Sequence, residues 1–138
     1  MVFSETVHFD SCGVWFSLNI TEILRRAVER SRIHNGILLV FFQHTTGGVI
    51  VVEHEAGFLV DLEDTLERLI PSSSNYLHHL RGYDVNGAAH VRTALVSPYA
   101  ALPVVNGDLA LGEWQDVVVV DMQPERKQRS FLIQVVGE

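Results

Sequence analysis

With 138 residues the chain is long enough for one domain with its own apolar core, and 47% apolar and 20% charged residues exclude a disordered polymer. Ten Lys and Arg against seventeen Asp and Glu give a formal net charge of −7, a field that repels a phosphate backbone, so no nucleic-acid partner is expected. No apolar run approaches the roughly 20 residues of a membrane helix; with one cysteine, Cys12, and no charged-then-apolar opening, the reading is a cytoplasmic protein with no membrane partner and no disulfide.

The opening "VFSETVHF" alternates apolar and polar residues as a strand does, with His8 in the polar set. "NITEILRRAVERSR" changes to helical spacing: Ile20, Ile23, Leu24, Ala27 and Val28 share a face, Glu22 and Arg26 pair across one turn, Asn19 and Glu22 form a capping-box-like start, and Asn35-Gly36 is the stop signal. Gly36 to Gln43 and Val49 to Glu53 are apolar and rich in β-branched or aromatic residues. Both read as buried strands joined by "HTTGG".

A second amphipathic helix turns Leu59, Leu62, Leu66, Leu69 and Ile70 inward and Asp61, Glu63, Asp64, Glu67 and Arg68 outward, until Pro71 ends it. "YLHHLRGYDVNG", Tyr76 to Gly87, is a long connection rich in His, Asp and Asn, a composition more typical of a functional loop than of a spacer. "AAHVRTALV" resumes helical spacing through Val91, Ala94 and Leu95, with His90 at the edge of that stripe. The rest reads as strands: "AALPVV", an Asn106-Gly107 hairpin turn, "DLALG", "WQDVVVVDM" and "RSFLIQVVG", with "ERKQR" as a solvated turn at the tip of a last hairpin in preference to a ligand patch, and Trp114 as a core or subunit-contact residue in preference to a substrate-stacking one. The order predicts an α+β fold, a single compact domain over 1–138 with antiparallel β-sheets and about three helices.

Seven histidines stand in this chain, and His44 is the most awkward for a purely structural reading. It continues the face of Val40 and Phe42 and then meets a Thr- and Gly-rich connection, so its ring starts near buried surface and needs partners for both nitrogens. His78, His79 and His90 flank a loop that also holds Asp84 and Asn86. Their spacing matches no closed zinc pattern. A three-histidine metal site competes with the reading that each ring is hydrogen-bonded or exposed; His79 rivals His78, His54 is expected to point to the opposite sheet face, and His34 reads as a helix-end residue.

From about Gly36 to the C-terminus, "HTTGGVIVVE", "YLHH", "DVNGAAHVRTALVSP", "LPVVNGDLALGEWQ" and "RSFLIQVVGE" resemble, in order, the YjbQ-like family, also described as secondary thiamine-phosphate synthase enzymes. The resemblance implies a homotrimer with a His-lined cleft that can hold a divalent metal ion, zinc being the first choice, on His44, His78 and His90. It places the family's strand carboxylate on Glu53 and its loop residues on Asp84 and Asn86, the three catalytic candidates. Three departures stand out: Val52 replaces an asparagine, Glu113 a threonine, and Ser97 a glycine that ends the third helix.

Three imidazoles with an open position suit a catalytic ion whose bound water is acidified, with Glu53 as general base. Thiamine-phosphate formation asks instead for neutralisation of a departing pyrophosphate. Thr45, Thr46, the N–H groups of Gly47 and Gly48, and Arg92 are the candidates to hold phosphate oxygens. The expected ligand is a small phosphorylated molecule; the alternatives are a metal-dependent hydrolase and a noncatalytic metal or metabolite binder.

Overall fold

The computed structural model describes residues 1–82 and 84–138. Among them the chain runs β1 (Val2–Ser11), β2 (Phe16–Asn19), α1 (Thr21–Ser31), β3 (Gly36–Phe42), β4 (Gly47–Val52), α2 (Ala56–Leu69), a short 3-10 helix (Leu77–Arg81), α3 (Gly87–Val96), β5 (Tyr99–Val105), β6 (Asp108–Leu109), β7 (Asp116–Asp121) and β8 (Lys127–Gly137). Five strands pair in the order β1-β8-β3-β5-β6 and three in the order β2-β7-β4, and every pairing is antiparallel. The α+β fold in a single compact domain is as expected.

The two sheets face each other across one apolar core. Leu38, Val40 and Phe42 of β3, Phe131, Ile133 and Val135 of β8, Leu102 and Val104 of β5, Val49 of β4, and Val117 and Val119 of β7 meet there, with Ile20, Leu24, Ala27 and Val28 of the first helix region closing one side. A smaller cluster of Leu66, Ala89 and Met122, with Trp15, Leu62 and Val96 against it, packs α2 and α3 on the other face of the three-stranded sheet. The continuous "VVVV" of β7 follows, because a strand covered on both faces has no side to give to polar residues.

Several local expectations change. Glu22 lies beside Arg25, which also pairs with Asp108, and Arg26 has no part in it. α1 stops at Arg32, whose φ of 59° is the left-handed cap that Asn35-Gly36 was expected to supply, and Gly36 opens β3 instead. The Asn106-Gly107 turn is a two-residue hairpin with φ of 52° and 81°, as such a dipeptide favours. Leu69 points to solvent and is 66% exposed. Trp114, 68% exposed, is no core residue.

The expected last hairpin does not exist, and the HTTGG connection does not join paired strands. β3 and β4 belong to different sheets, as do β7 and β8, so residues 43–46 and 122–126 are crossings from one sheet to the other. The crossings lie side by side, with Met122 N–H donating to Thr46 O at 2.8 Å. Gly47 and Gly48 are therefore buried residues of β4 and form no turn. A Cβ at Gly47 would meet Val120 O at 2.1 Å and one at Gly48 would meet Ser97 O at 2.1 Å, so only glycine permits these approaches.

Candidate functional site

Side-chain parity builds the site. Along β3 the core-facing row Val40, Phe42 continues to His44; along β7 the row Val117, Val119 continues to Asp121; along β8 the row Val135, Ile133, Phe131 continues backwards to Arg129 and Lys127. All three rows turn polar at the end of the sandwich where the crossings lie. The apolar interior thus opens into a polar cleft of about 510 Å³, lined by Gln43, His44, Thr45, Thr46, His78, Arg81, Asp84, Asn86, His90, Gln123, Lys127 and Arg129. That volume suits a small-molecule ligand.

The far wall comes from the 3-10 helix and the start of α3. His78 Nε2 lies 3.1 Å from Asp84 Oδ1 and 3.1 Å from Asn86 Oδ1. Both partners are acceptors, so Nε2 carries the hydrogen and Nδ1 keeps the lone pair. Buried Asn86 in turn donates from Nδ2 to Gln123 Oε1 at 3.1 Å. Its side chain is spent on the cleft, and α3 is capped by His79, whose Nε2 accepts the Gly87 N–H at 2.9 Å. The rivalry between the neighbouring rings is resolved in geometry: His78 lines the cleft and His79 caps a helix.

His90, half-buried on α3, donates from Nδ1 to Thr45 O at 3.0 Å, which leaves its Nε2 as acceptor. The His78 and His90 rings stand edge to face with centroids 4.5 Å apart. On the opposite wall Asp121, 0% exposed, accepts from Arg129 Nε at 3.1 Å, from Thr46 Oγ1 at 3.1 Å and from Gln123 N–H at 3.2 Å. Arg129 Nη2 donates to Thr46 Oγ1 at 3.0 Å. A fully buried carboxylate balanced by a fixed guanidinium keeps neither charge unpaired.

His44 lies between these walls, packed against Phe42 at 5.0 Å between ring centroids, with Nε2 accepting the Ser130 N–H at 2.9 Å. Burial pushes its pKa below the ordinary value of 6.5, the positive Arg129 pushes it further, and Asp121 only partly opposes them.

The cleft therefore gathers His44, His78, His90, Thr45, Thr46, Asp84 and Asn86. It does not gather the remaining candidates. Glu53 is exposed just beyond β4, seven residues of extended chain from Thr46, on the order of 20 Å away at about 3.3 Å per residue. Gly47 and Gly48 turn into the sheet. Arg92, 1% exposed, spends its guanidinium on Ile70 O, Glu67 Oε2 at 2.7 Å and Ser72 Oγ at 3.0 Å and stacks over Trp15 at 4.7 Å, so it ties α3 to the end of α2.

A three-imidazole metal cage does not fit this arrangement, because the His44 lone pair is engaged by a backbone N–H; the nitrogens left for a cation are His78 Nδ1 and His90 Nε2. Among the described residues no three His, Cys, Asp or Glu side chains gather closely enough to hold an ion. Arg129, Lys127, Gln123, Gln43 and Arg81 were not among the sequence candidates. Lys127 and Arg129 two apart on one strand face were the available signal, hidden by the expectation of a surface turn.

A family model described as "UPF0047 protein YjbQ-like" matches residues 13–138. A UPF0047 protein of Methanothermobacter thermautotrophicus is 34% identical over 121 residues, 88% of this chain and 82% of that one. One from Mycobacterium tuberculosis is 39% identical over 102 residues, 74% and 76% of the two chains. The solved structure of a YbjQ-like protein of unknown function from Sulfolobus solfataricus superposes with a TM-score of 0.94 at 28% identity, covering 100% of this chain and 99% of the other.

Proposed function

The chain belongs to the UPF0047 family of YjbQ-like proteins, and on that premise we propose that it is an enzyme of the secondary thiamine-phosphate synthase type, holding a small phosphorylated molecule in the cleft between the two sheets. One observation carries the reading. In a chain of net charge −7, Arg81, Lys127 and Arg129 line one cleft with the carboxylate of Asp84, which sits on His78, while Asp121, buried behind Arg129, balances that guanidinium and leaves the lining positive. Over distances within about 10 Å such a cluster prevails over the remote acidic surface.

The chemistry suits that charge. A thiazole nitrogen attacks the methylene of a pyrimidine methyl diphosphate, the C–N bond forms, the C–O bond breaks, and pyrophosphate leaves with the electron pair. The attacking nitrogen carries no proton, so the step needs no base. The demand is for cations and N–H donors around the leaving oxygens, the role we give to Arg129, Lys127 and Arg81. Asn86 and Gln123 hold the His78 wall in place, and the His78 and His90 lone pairs face the ligand.

A second reading adds a divalent ion, because both His78 and His90 have their outer N–H anchored to oxygen, the arrangement that orients imidazole ligands. His78 and His90 would hold the ion, which would supply Lewis-acid charge. We also place a second and third copy, in the homotrimer that the resemblance implies, on the groove that Phe41, Thr93, Ala94 and Pro98 line beside His44 and His90; equilibrium sedimentation checks this.

The test is incubation with the two phosphorylated precursors, with and without chelator, reading thiamine phosphate and pyrophosphate. The expected result is both products in equal amounts, reduced at least tenfold in Asp84→Asn, which loses the carboxylate that orients His78. Turnover of phosphate esters without coupled product indicates a hydrolase, and stoichiometric binding without turnover a metabolite binder. Either outcome overturns the synthase reading.

A further inference from the structure

His44 is asked for two lone pairs and has one. Ser130 N–H points at its Nε2 at 2.9 Å, with Ser130 Oγ 3.4 Å from the same nitrogen, and an N–H of Arg129 Nη1 points at its Nδ1 at 3.4 Å. A neutral imidazole accepts at one nitrogen only and a protonated ring at neither. The backbone bond is the shorter, and its donor cannot turn away from the ring, because Ser130 lies within β8. Nε2 therefore keeps the lone pair and Nδ1 carries the hydrogen.

Two donors then face each other, Nδ1–H of His44 and Nη1–H of Arg129, on the wall of the cleft. Neither is free to leave. Arg129 is held through Nε by Asp121 and through Nη2 by Thr46, and His44 is held by Ser130 and by the face of Phe42. Adjacent N–H donors with no acceptor between them among the described residues form a site for an anionic oxygen, as paired donors do in backbone anion nests.

We propose that His44 Nδ1 and Arg129 Nη1 form an oxyanion seat that takes one phosphoryl oxygen of a diphosphate, with Asp121 as the positioning residue that aims Arg129. The proposal rests on the reading that the cleft takes a phosphorylated molecule. It assigns His44 a role different from the metal ligand that the resemblance implies: the ring donates to an anion and is not available to a cation. Lys127 and Arg81 line the same cleft and supply charge for the remaining phosphate oxygens. The lowered His44 pKa agrees, since it keeps the ring neutral with one hydrogen to give.

The experiment is calorimetric titration of the full chain with inorganic pyrophosphate, together with imidazole ¹⁵N spectra of the unliganded wild type. The expected results are pyrophosphate binding and hydrogen on Nδ1 of His44. His44→Gln can keep an acceptor, Oε1, for Ser130, but its amide N–H groups do not occupy the Nδ1 position, and it is expected to bind about tenfold or more weakly, the value of one charge-assisted hydrogen bond. Arg129→Lys keeps the charge and loses the fork, with a similar loss. The double variant is expected to lose little beyond either single one, because both donors serve one oxygen.

If wild type binds no pyrophosphate, the seat and the phosphorylated-ligand reading fall together. If wild type binds but His44→Gln and Arg129→Lys bind equally well, while Lys127→Ala or Arg81→Ala lose affinity, the seat falls and the reading stands. Hydrogen on Nε2 of His44 overturns the seat whether or not the variants fold.

Discussion

Ser97 ends α3 at φ 76° and ψ 143°, a conformation that glycine adopts without strain and other residues do not. Its carbonyl accepts the Val49 N–H at 3.1 Å, and Gly48 approaches that same carbonyl too closely for any Cβ. The connection between α3 and β4 thus holds Ser97 in place although its own backbone preference opposes it. The sequence likeness expects glycine here, and the reason is now physical. Ser97→Gly is expected to raise stability by about 1 kcal/mol, strain relief exceeding the entropy cost of the added glycine; urea unfolding with an unchanged m-value checks it. His44 and His79 show the limit of reading single residues: both are histidines beside an apolar segment, and only their partners, Ser130 N–H and Gly87 N–H, separate a cleft residue from a cap.

α3 shows how packing overrides periodicity. Its apolar stripe Val91, Ala94 and Leu95 predicts the buried face, yet all three are exposed, Leu95 to 64%, and the face turned inward is Ala88, Ala89 and Arg92. Small side chains let the helix lie close on β4, where a Cβ at Gly48 would already meet Val96 Cγ1 at 2.9 Å. Arg92 fits inside because Ile70 O, Glu67, Ser72 and Trp15 satisfy its whole guanidinium. Arg92→Ala is expected to cost about 3–5 kcal/mol, as for other buried pairs broken on one side, while pyrophosphate affinity of the folded fraction stays within twofold. Thermal unfolding and calorimetry on one preparation read both; a loss of affinity comparable to that of Arg129→Lys would return Arg92 to the ligand site.

Among the described residues, the groups with displaced pKa values all act in one direction. His44 is held below its ordinary 6.5 by burial and then by Arg129. Glu67 is lowered from 4.5 chiefly by the Ser72 N–H, and Glu55 from 4.5 by the N–H groups of Phe58 and Gly57 at the start of α2. A group whose folded pKa lies below its unfolded value contributes stability that is complete above the unfolded value and is lost as the pH falls through the folded one. Stability is therefore expected to decline in two stages on acidification, first below about 6.5 for His44 and then below about 4.5 for the carboxylates. Urea midpoints measured from pH 8 to pH 4 check this, and His44→Gln is expected to remove the first stage and keep the second. Among the described residues no helix is long and apolar enough to cross a membrane.

Fold class, three helices, most strands and the Asn106-Gly107 hairpin were legible in the chain because they depend on period and turn chemistry, which act over a few residues. The histidines of the cleft, with Thr45, Thr46, Asp84 and Asn86, were legible too, through the HTT connection and the loop before α3. Sheet membership was not: an apolar run followed by a turn and another apolar run reads the same whether the strands pair with each other or cross to opposite sheets. That choice turned Gly47 and Gly48 into strand residues, carried Glu53 away, and brought Lys127 and Arg129 to the cleft. Burial set the last distinction, between Arg92 and Arg129. Both guanidiniums are anchored by hydrogen bonds, and only the second lines the cleft.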